Sequence, residues 1–169
     1  MAKKMVPRYT VTLKASVVIR HHGKVLLIRE RHNPRHPYRL NIIKGSFEPG
    51  KDISIFDAAT REAREEANAK IKLKYLLSAY YLLYEQNALM TFTFIADLLN
   101  PRHVGVVSKK LQAQYSKTKR INEVKFFSRK ELARLKPKDF VGMRGYVAIQ
   151  DYLKGIRFSL AAVKTLPPK

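Results

Sequence analysis

An α/β fold, with a mixed β-sheet and one principal helix packed on it, is predicted by three features of the 169-residue chain. Alternating or β-branched and aromatic-rich runs recur in separate blocks, from Thr10 to Ile28, Lys70 to Leu99 and Ile121 to Ser128. An alanine-rich run of helical period, Ser54 to Ala67, lies between the first two blocks. Shorter helical segments follow the last block, one starting at Arg129 to Leu132 and one at Gly145 to Leu153. The length matches a single domain over residues 1–169, and a hydrophobic content of 46% is enough for a core.

In chain order, Thr10 to Arg20 alternates and thickens into Ala-Ser-Val-Val-Ile, turns at His21-His22-Gly23-Lys24 and returns as Val25 to Ile28. That is a β-hairpin, and a hairpin tip accounts for the two histidines better than metal binding does. Arg29 to Arg39 is a proline-broken basic loop, in which Tyr38 is a candidate to stack on a base and Arg35 or Arg39 to meet phosphate. A merely solvated loop explains the same residues. Two strand-like runs, Lys70 to Tyr84 and Ala88 to Leu99, are joined by a turn at Glu85-Gln86-Asn87. Met90 to Asp97 alternates as a half-buried strand should. Residues from about 100 to 120 contain no acid and many Lys and Arg, which marks a basic insertion before the last strand. A tail runs from about 155 to 169.

Six of the thirteen acidic residues fall between Glu48 and Glu66, in a chain whose formal net charge is +21. Ser54 followed three residues later by Asp57 is a capping-box-like helix start. At about 100° per residue, Ile55, Phe56, Ala59, Ala63 and Ala67 share one arc, with Asp57, Arg61, Arg64 and Asn68 roughly opposite. Glu62, Glu65 and Glu66 share a third arc beside the apolar one. Carboxylates crowded there repel one another and are partly shielded from water, which a cation among them would relieve. Oxygen-only ligands suit a hard divalent ion, Mg²⁺ or Mn²⁺. A solvated acidic edge, with Arg61 and Arg64 as ordinary ion-pair partners, is the competing explanation. Upstream, Lys44 to Asp52 is a loop whose Gly45 and Gly50 let backbone amides turn toward an anion.

Gly45 followed by Arg61-Glu62-Ala63-Arg64-Glu65-Glu66-Ala67-Asn68-Ala69 resembles the Nudix box, G-x5-E-x7-R-E-U-x-E-E-x-G-U with U aliphatic. The R-E-U-x-E-E core is intact. Counting back from Arg61, the loop glutamate of the pattern falls on Ile53, and the stretch after Gly45 is two residues too long. Asp52 and Glu48 are both candidates for the missing carboxylate. Asn68 stands in the place of the terminal glycine, and asparagine tolerates the left-handed conformation of a helix C-cap. Lys44-Gly45 in place of Gly-Gly resembles members that hydrolyse dinucleoside polyphosphates, as does a tyrosine downstream of the box, Tyr84 or Tyr81. The resemblance implies an α/β/α sandwich and a metal-dependent hydrolase that cleaves a nucleoside diphosphate linked to another group X. Dinucleoside polyphosphates and RNA 5′ ends are the substrates it favours. It implies Glu62, Glu65 and Glu66 as metal ligands, Glu65, Glu66 or Glu123 as general base, and Arg61 as the residue that orients a box glutamate. Lys44, Gly45, Tyr38, Arg39 and Tyr84 are the implied substrate contacts.

The excess positive charge raises the local concentration of polyanions, so RNA joins nucleotides as an expected partner. A catalytically impaired Nudix module that binds RNA or nucleotides is the alternative to an enzyme. No apolar run approaches the length of a membrane span or signal peptide, and cytoplasmic location is the expectation. Without cysteine, thiolate metal sites and disulfides are excluded.

Overall fold

The structure is a computed structural model describing residues 10–84, 87–107, 109, 113 and 120–166. Of the turn expected at Glu85-Gln86-Asn87, residues 85–86 lie outside the described residues and Asn87 already begins a strand, and most of the basic insertion, including 110–112 and 114–119, lies outside them as well. One mixed sheet contains β1 (Thr10–His21), β2 (Lys24–Arg31), β3 (Arg39–Asn41), β4 (Ile43–Ser46), β5 (Ile71–Tyr84), β6 (Asn87–Leu98) and β7 (Arg120–Ser128). Among the described residues α1 (Ile55–Ala67), α2 (Arg129–Arg134) and α3 (Met143–Leu153) accompany it.

The first hairpin closes on His22 and Gly23 at φ 45 and 73°, the left-handed pair of a type I′ turn that matches strand twist. Along β1 the pairing is then divided. One edge runs parallel to β6 from Thr10 to Arg20, while the other pairs with β4 over Lys14 to Val17 and with β2 over Ile19 to His21. β2 divides in the same sense, pairing with β1 near its start and with β3 from Ile28 to Glu30, while β7 follows its other edge. The short β3 and β4 thus bridge a fork in the sheet, and they deliver Lys44 and Gly45 to its mouth.

Strand alternation makes two cores. Ala15, Val17, Ile19, Ile28, Ile43 and Phe94 pack against Ala59, Ala63 and Ala67 of α1 on one face. Val18, Val25, Leu27, Leu77 and Ile95 pack with Leu132 of α2 and Ala148 and Ile149 of α3 on the other. This is the expected α/β/α sandwich. The small residues of α1 let its backbone come close to the sheet, and Phe56, only partly buried, packs on Phe94 with ring centroids 5.3 Å apart.

Both ends of α1 follow the sequence. Ser54 Oγ accepts from the Asp57 amide while Asp57 Oδ2 accepts from the Ser54 amide at 2.8 Å, completing the capping box. Asn68 caps the other end at φ 50, ψ 32°. Its side-chain amide also donates to the His103 carbonyl at 2.9 Å, a bond that the glycine of the pattern cannot make.

Candidate active site

The loop between β4 and α1 solves the two-residue excess with a tight turn. The amides of Lys51 and Asp52 both donate to the Glu48 carbonyl at 3.0 Å, with Gly50 at φ 91°. Asp52 returns a hydrogen bond by accepting from the Glu48 amide at 2.8 Å. The turn folds the extra residues outward, leaves Ile53 exposed and points the Asp52 carboxylate at α1.

Asp52 meets Arg61 there as a two-pronged pair, Nε to Oδ1 and Nη2 to Oδ2, both at 2.9 Å. Arg61 Nη2 also donates to the Ser46 carbonyl at 2.7 Å, and Nη1 to Glu62 at 2.8 Å and Glu65 at 3.1 Å. Of the two candidates for the missing carboxylate, Asp52 therefore makes the arginine pair. Glu48 lies 3.8 Å from Arg61 and pairs with Lys51 at 2.7 Å. Hydrogen bonding to Arg61 holds the Asp52 carboxyl below its ordinary range, and Asp52 in turn raises the guanidinium further.

Glu62 and Glu66 are buried, at 8% and 7% exposure, and Glu65 is half-buried. The Glu62 carboxylate lies directly on Gly45: a methyl group added to that glycine would come 1.8 Å from Oε1 and 2.2 Å from Oε2. Only the absence of a side chain at 45 permits this approach. Glu66 Oε2 accepts from the Lys44 amide at 3.2 Å. Burial pushes the Glu65 carboxyl above its ordinary range and Glu62 pushes the same way, against the pull of Arg61.

These are hard oxygen donors in a desolvated setting that raises one carboxyl, which fits a divalent cation. Among the described residues no three metal-ligating side chains converge, because Arg61 draws Glu62 and Glu65 to itself.

On the other side of Lys44 lies a group that the sequence did not disclose. Glu30, fully buried, accepts through Oε1 from Lys44 Nζ at 2.7 Å and from Asn41 Nδ2 at 2.8 Å, with His32 Nε2 3.2 Å away. The amide of Lys44 faces the box glutamate and its side chain faces this buried acid. The signal was an acid at the end of β2 inside an otherwise basic run, but its partners lie up to fourteen residues away.

Other expected contacts are elsewhere. Glu123 is on β7 opposite Arg29, its carboxylate 3.8 Å from that guanidinium. It lines a cleft of about 530 Å³ with Tyr38, Arg39, Lys125, Phe127 and Lys138. Phe127 packs with the α2 and α3 core, and Arg29 and Lys125 follow its alternation, so this cleft is on the face opposite α1. Among the described interactions Glu123, Tyr38 and Arg39 make no contact with the box glutamates. The Tyr38 ring lies beneath Arg31, 4.5 Å from its guanidinium carbon. Tyr84 ends β5 at 56% exposure, four residues beyond Tyr80, so it is an edge residue, with no contact to α1 among the described interactions.

A NUDIX domain model matches residues 12–148. The chain belongs to the NUDIX domain family, and with that membership it is a Nudix-type pyrophosphohydrolase acting on nucleoside diphosphate derivatives. Solved structures show the same fold. A NUDIX hydrolase from Nitrosomonas europaea superposes with a TM-score of 0.71 at 24% identity, covering 93% of this chain and 98% of that one. The MutT protein of Methanosarcina mazei Go1 gives 0.63 at 14% identity, over 87% of this chain and 96% of that one. A UDP-X diphosphatase gives 0.58 at 18% identity, over 94% of this chain and 68% of that one. No curated protein matches. Among the described residues, no helix is long and apolar enough to cross a membrane.

Proposed function

We propose that this chain is a divalent-metal-dependent hydrolase that cleaves the diphosphate of a nucleoside diphosphate linked to X, with dinucleoside polyphosphates or RNA 5′ ends as preferred substrates. The observation that carries the reading is the seating of Glu62 on Gly45, with Glu66 held by the neighbouring Lys44 amide. Two carboxylates are thereby fixed against the Lys44-Gly45 backbone. Glu62, Glu65 and Glu66 would hold Mg²⁺ or Mn²⁺, which supplies charge neutralisation and an acidified water when bound.

The protein's own residues do the rest. Asp52 anchors Arg61, and Arg61 orients Glu62 and Glu65. Glu65, half-buried beside Arg61, would accept a proton from water. Lys44 and Gly45 line the path of the phosphates.

A Glu66→Gln protein should remain folded, because the amide keeps an acceptor for the Lys44 N–H, and should bind Mn²⁺ more weakly. Water-proton relaxation with Mn²⁺ measures this, and wild-type affinity in the variant would remove Glu66 from the metal site.

RNA recruitment by the basic insertion is the second part of the reading, supported by the net charge of +21. Replacing Lys109, Lys110, Lys117 and Lys119 with Gln should weaken RNA binding and reduce its salt slope, by about one unit for each phosphate no longer neutralised. Turnover of a small nucleotide should change little. Unchanged affinity and slope would make the insertion a solvated loop.

A further inference from the structure

The sheet face beneath α3 is apolar at Val18, Ile95 and Leu77 and becomes polar toward the mouth of the fork. One rung across four strands carries Lys44, Ser16, Thr93 and Ser78. The next rung carries Ser46, Lys14, Thr91 and Tyr80. Strand alternation sends all eight to the face that α3 covers. A patch of this composition is a poor core and a suitable floor for a polar ligand.

Two further observations point to what that ligand is. Ser78 Oγ, Thr91 Oγ1 and Arg144 Nη1 are buried atoms with no hydrogen-bond partner, and Thr91 is only 1% exposed, while the Thr93 hydroxyl has that of Tyr80 beside it. Buried polar atoms in native proteins find partners, so several orphans on one floor mark a place where a partner binds. Lys44 is balanced there by Glu30, but Lys14 and Arg144 have no such partner among the described ion pairs. Burial pushes the Lys14 ammonium below its ordinary value, and Arg144 and Lys44 push it the same way against the weaker pull of Glu62 and Glu30. Among the described residues no carboxylate lies within ion-pair distance of Lys14 or Arg144. Cations gathered on a half-buried floor repel one another unless an anion joins them.

We infer that this floor receives a phosphate that the substrate carries in addition to the diphosphate that is cleaved, with Lys14 and Arg144 as its cationic partners and the strand hydroxyls as donors. The inference rests on the reading of the box as a diphosphate site, because Lys44 joins the two by contacting Glu66 on one side and Glu30 on the other. That phosphate is either a monoester on X or the next phosphodiester of an RNA 5′ end. The two sources share the same chemistry.

Titration calorimetry in Mg²⁺ tests this with three ligands: ADP, ADP bearing a 3′-phosphate, and ADP extended through a 3′-phosphodiester to a second nucleoside. The wild-type protein should bind at least one extended ligand about tenfold or more tightly than ADP, the range of a charge-assisted contact. Tightening in both arms means any phosphate is accepted, and tightening only in the diester arm selects RNA. Lys14→Met and Arg144→Gln should each bring the advantage to within about twofold while leaving ADP affinity in place, and Lys14→Arg should retain it. If Lys14→Met does not fold, Arg144→Gln, near the start of α3, decides alone. Equal affinity for all three ligands, no binding of any, or an advantage that survives both neutral variants would overturn the inference. Because binding is read without turnover, a protein that prefers the extra phosphate and cleaves nothing loses only the enzyme reading. A protein that cleaves but shows no preference loses only this inference.

Discussion

Gly45→Ala should leave the protein folded and reduce turnover by about a hundredfold, the scale of a misplacement near 1 Å in a catalytic group. The added methyl would sit 1.8 Å from Glu62 Oε1, so the carboxylate has to leave its seat. What it meets is the end of a flexible side chain, and rotation of Glu62 relieves the clash at small cost to stability. Thermal melting and steady-state kinetics on the same sample separate the two effects. A variant with wild-type turnover would show that the seating of Glu62 on Gly45 has no catalytic role. A variant that unfolds would show that the carboxylate cannot move.

Asp52→Asn should destabilise the protein by about 3 kcal/mol, toward the low end for removing one partner of a buried ion pair, because Arg61 keeps Glu62 and Glu65. The Asp52 side chain is 1% exposed and that of Arg61 16%, so water replaces the lost carboxylate poorly. The pH dependence has a definite sign. A carboxyl whose pKa is depressed by folding contributes stability in full above its unfolded value, near the ordinary 3.8, and loses it as pH falls through the folded value. The wild-type advantage over Asp52→Asn should therefore be constant near neutrality and shrink below about pH 4. Urea unfolding at pH 7 and pH 3 measures it, and an advantage that does not narrow in acid would contradict the assigned pair.

Helix α1 was legible in the chain because its signals are local. Ser54 and Asp57 are three residues apart, and the alanines repeat at the helical period. The role of Asp52 was not legible, since a motif counted in residues cannot see that the Glu48–Asp52 turn absorbs two of them. The surroundings of Glu123 were not legible for a related reason. Which face a strand residue takes depends on register, and only the pairing of β7 with β2 sets Glu123 opposite Arg29. Thr91 and Thr93 read as the wet side of a half-buried strand, yet both are buried, on the side of the sheet that carries the α2 and α3 core. Glu30 was hidden by its basic neighbours until Asn41 and Lys44 folded back onto it. In each case the missing information was a contact made by residues distant in sequence.

Release of mononucleotide and phosphate from a panel of diadenosine polyphosphates, 5′-triphosphorylated RNA, ADP-ribose and oxidised nucleoside triphosphates, with Mg²⁺ and with Mn²⁺, tests the central claim most directly. Metal-dependent cleavage at a diphosphate is expected, fastest for the diadenosine polyphosphates or the RNA 5′ end, and abolished by Glu66→Gln. Preferential cleavage of ADP-ribose would contradict the proposed substrate class, and turnover that persists without metal or in Glu66→Gln would contradict the site itself.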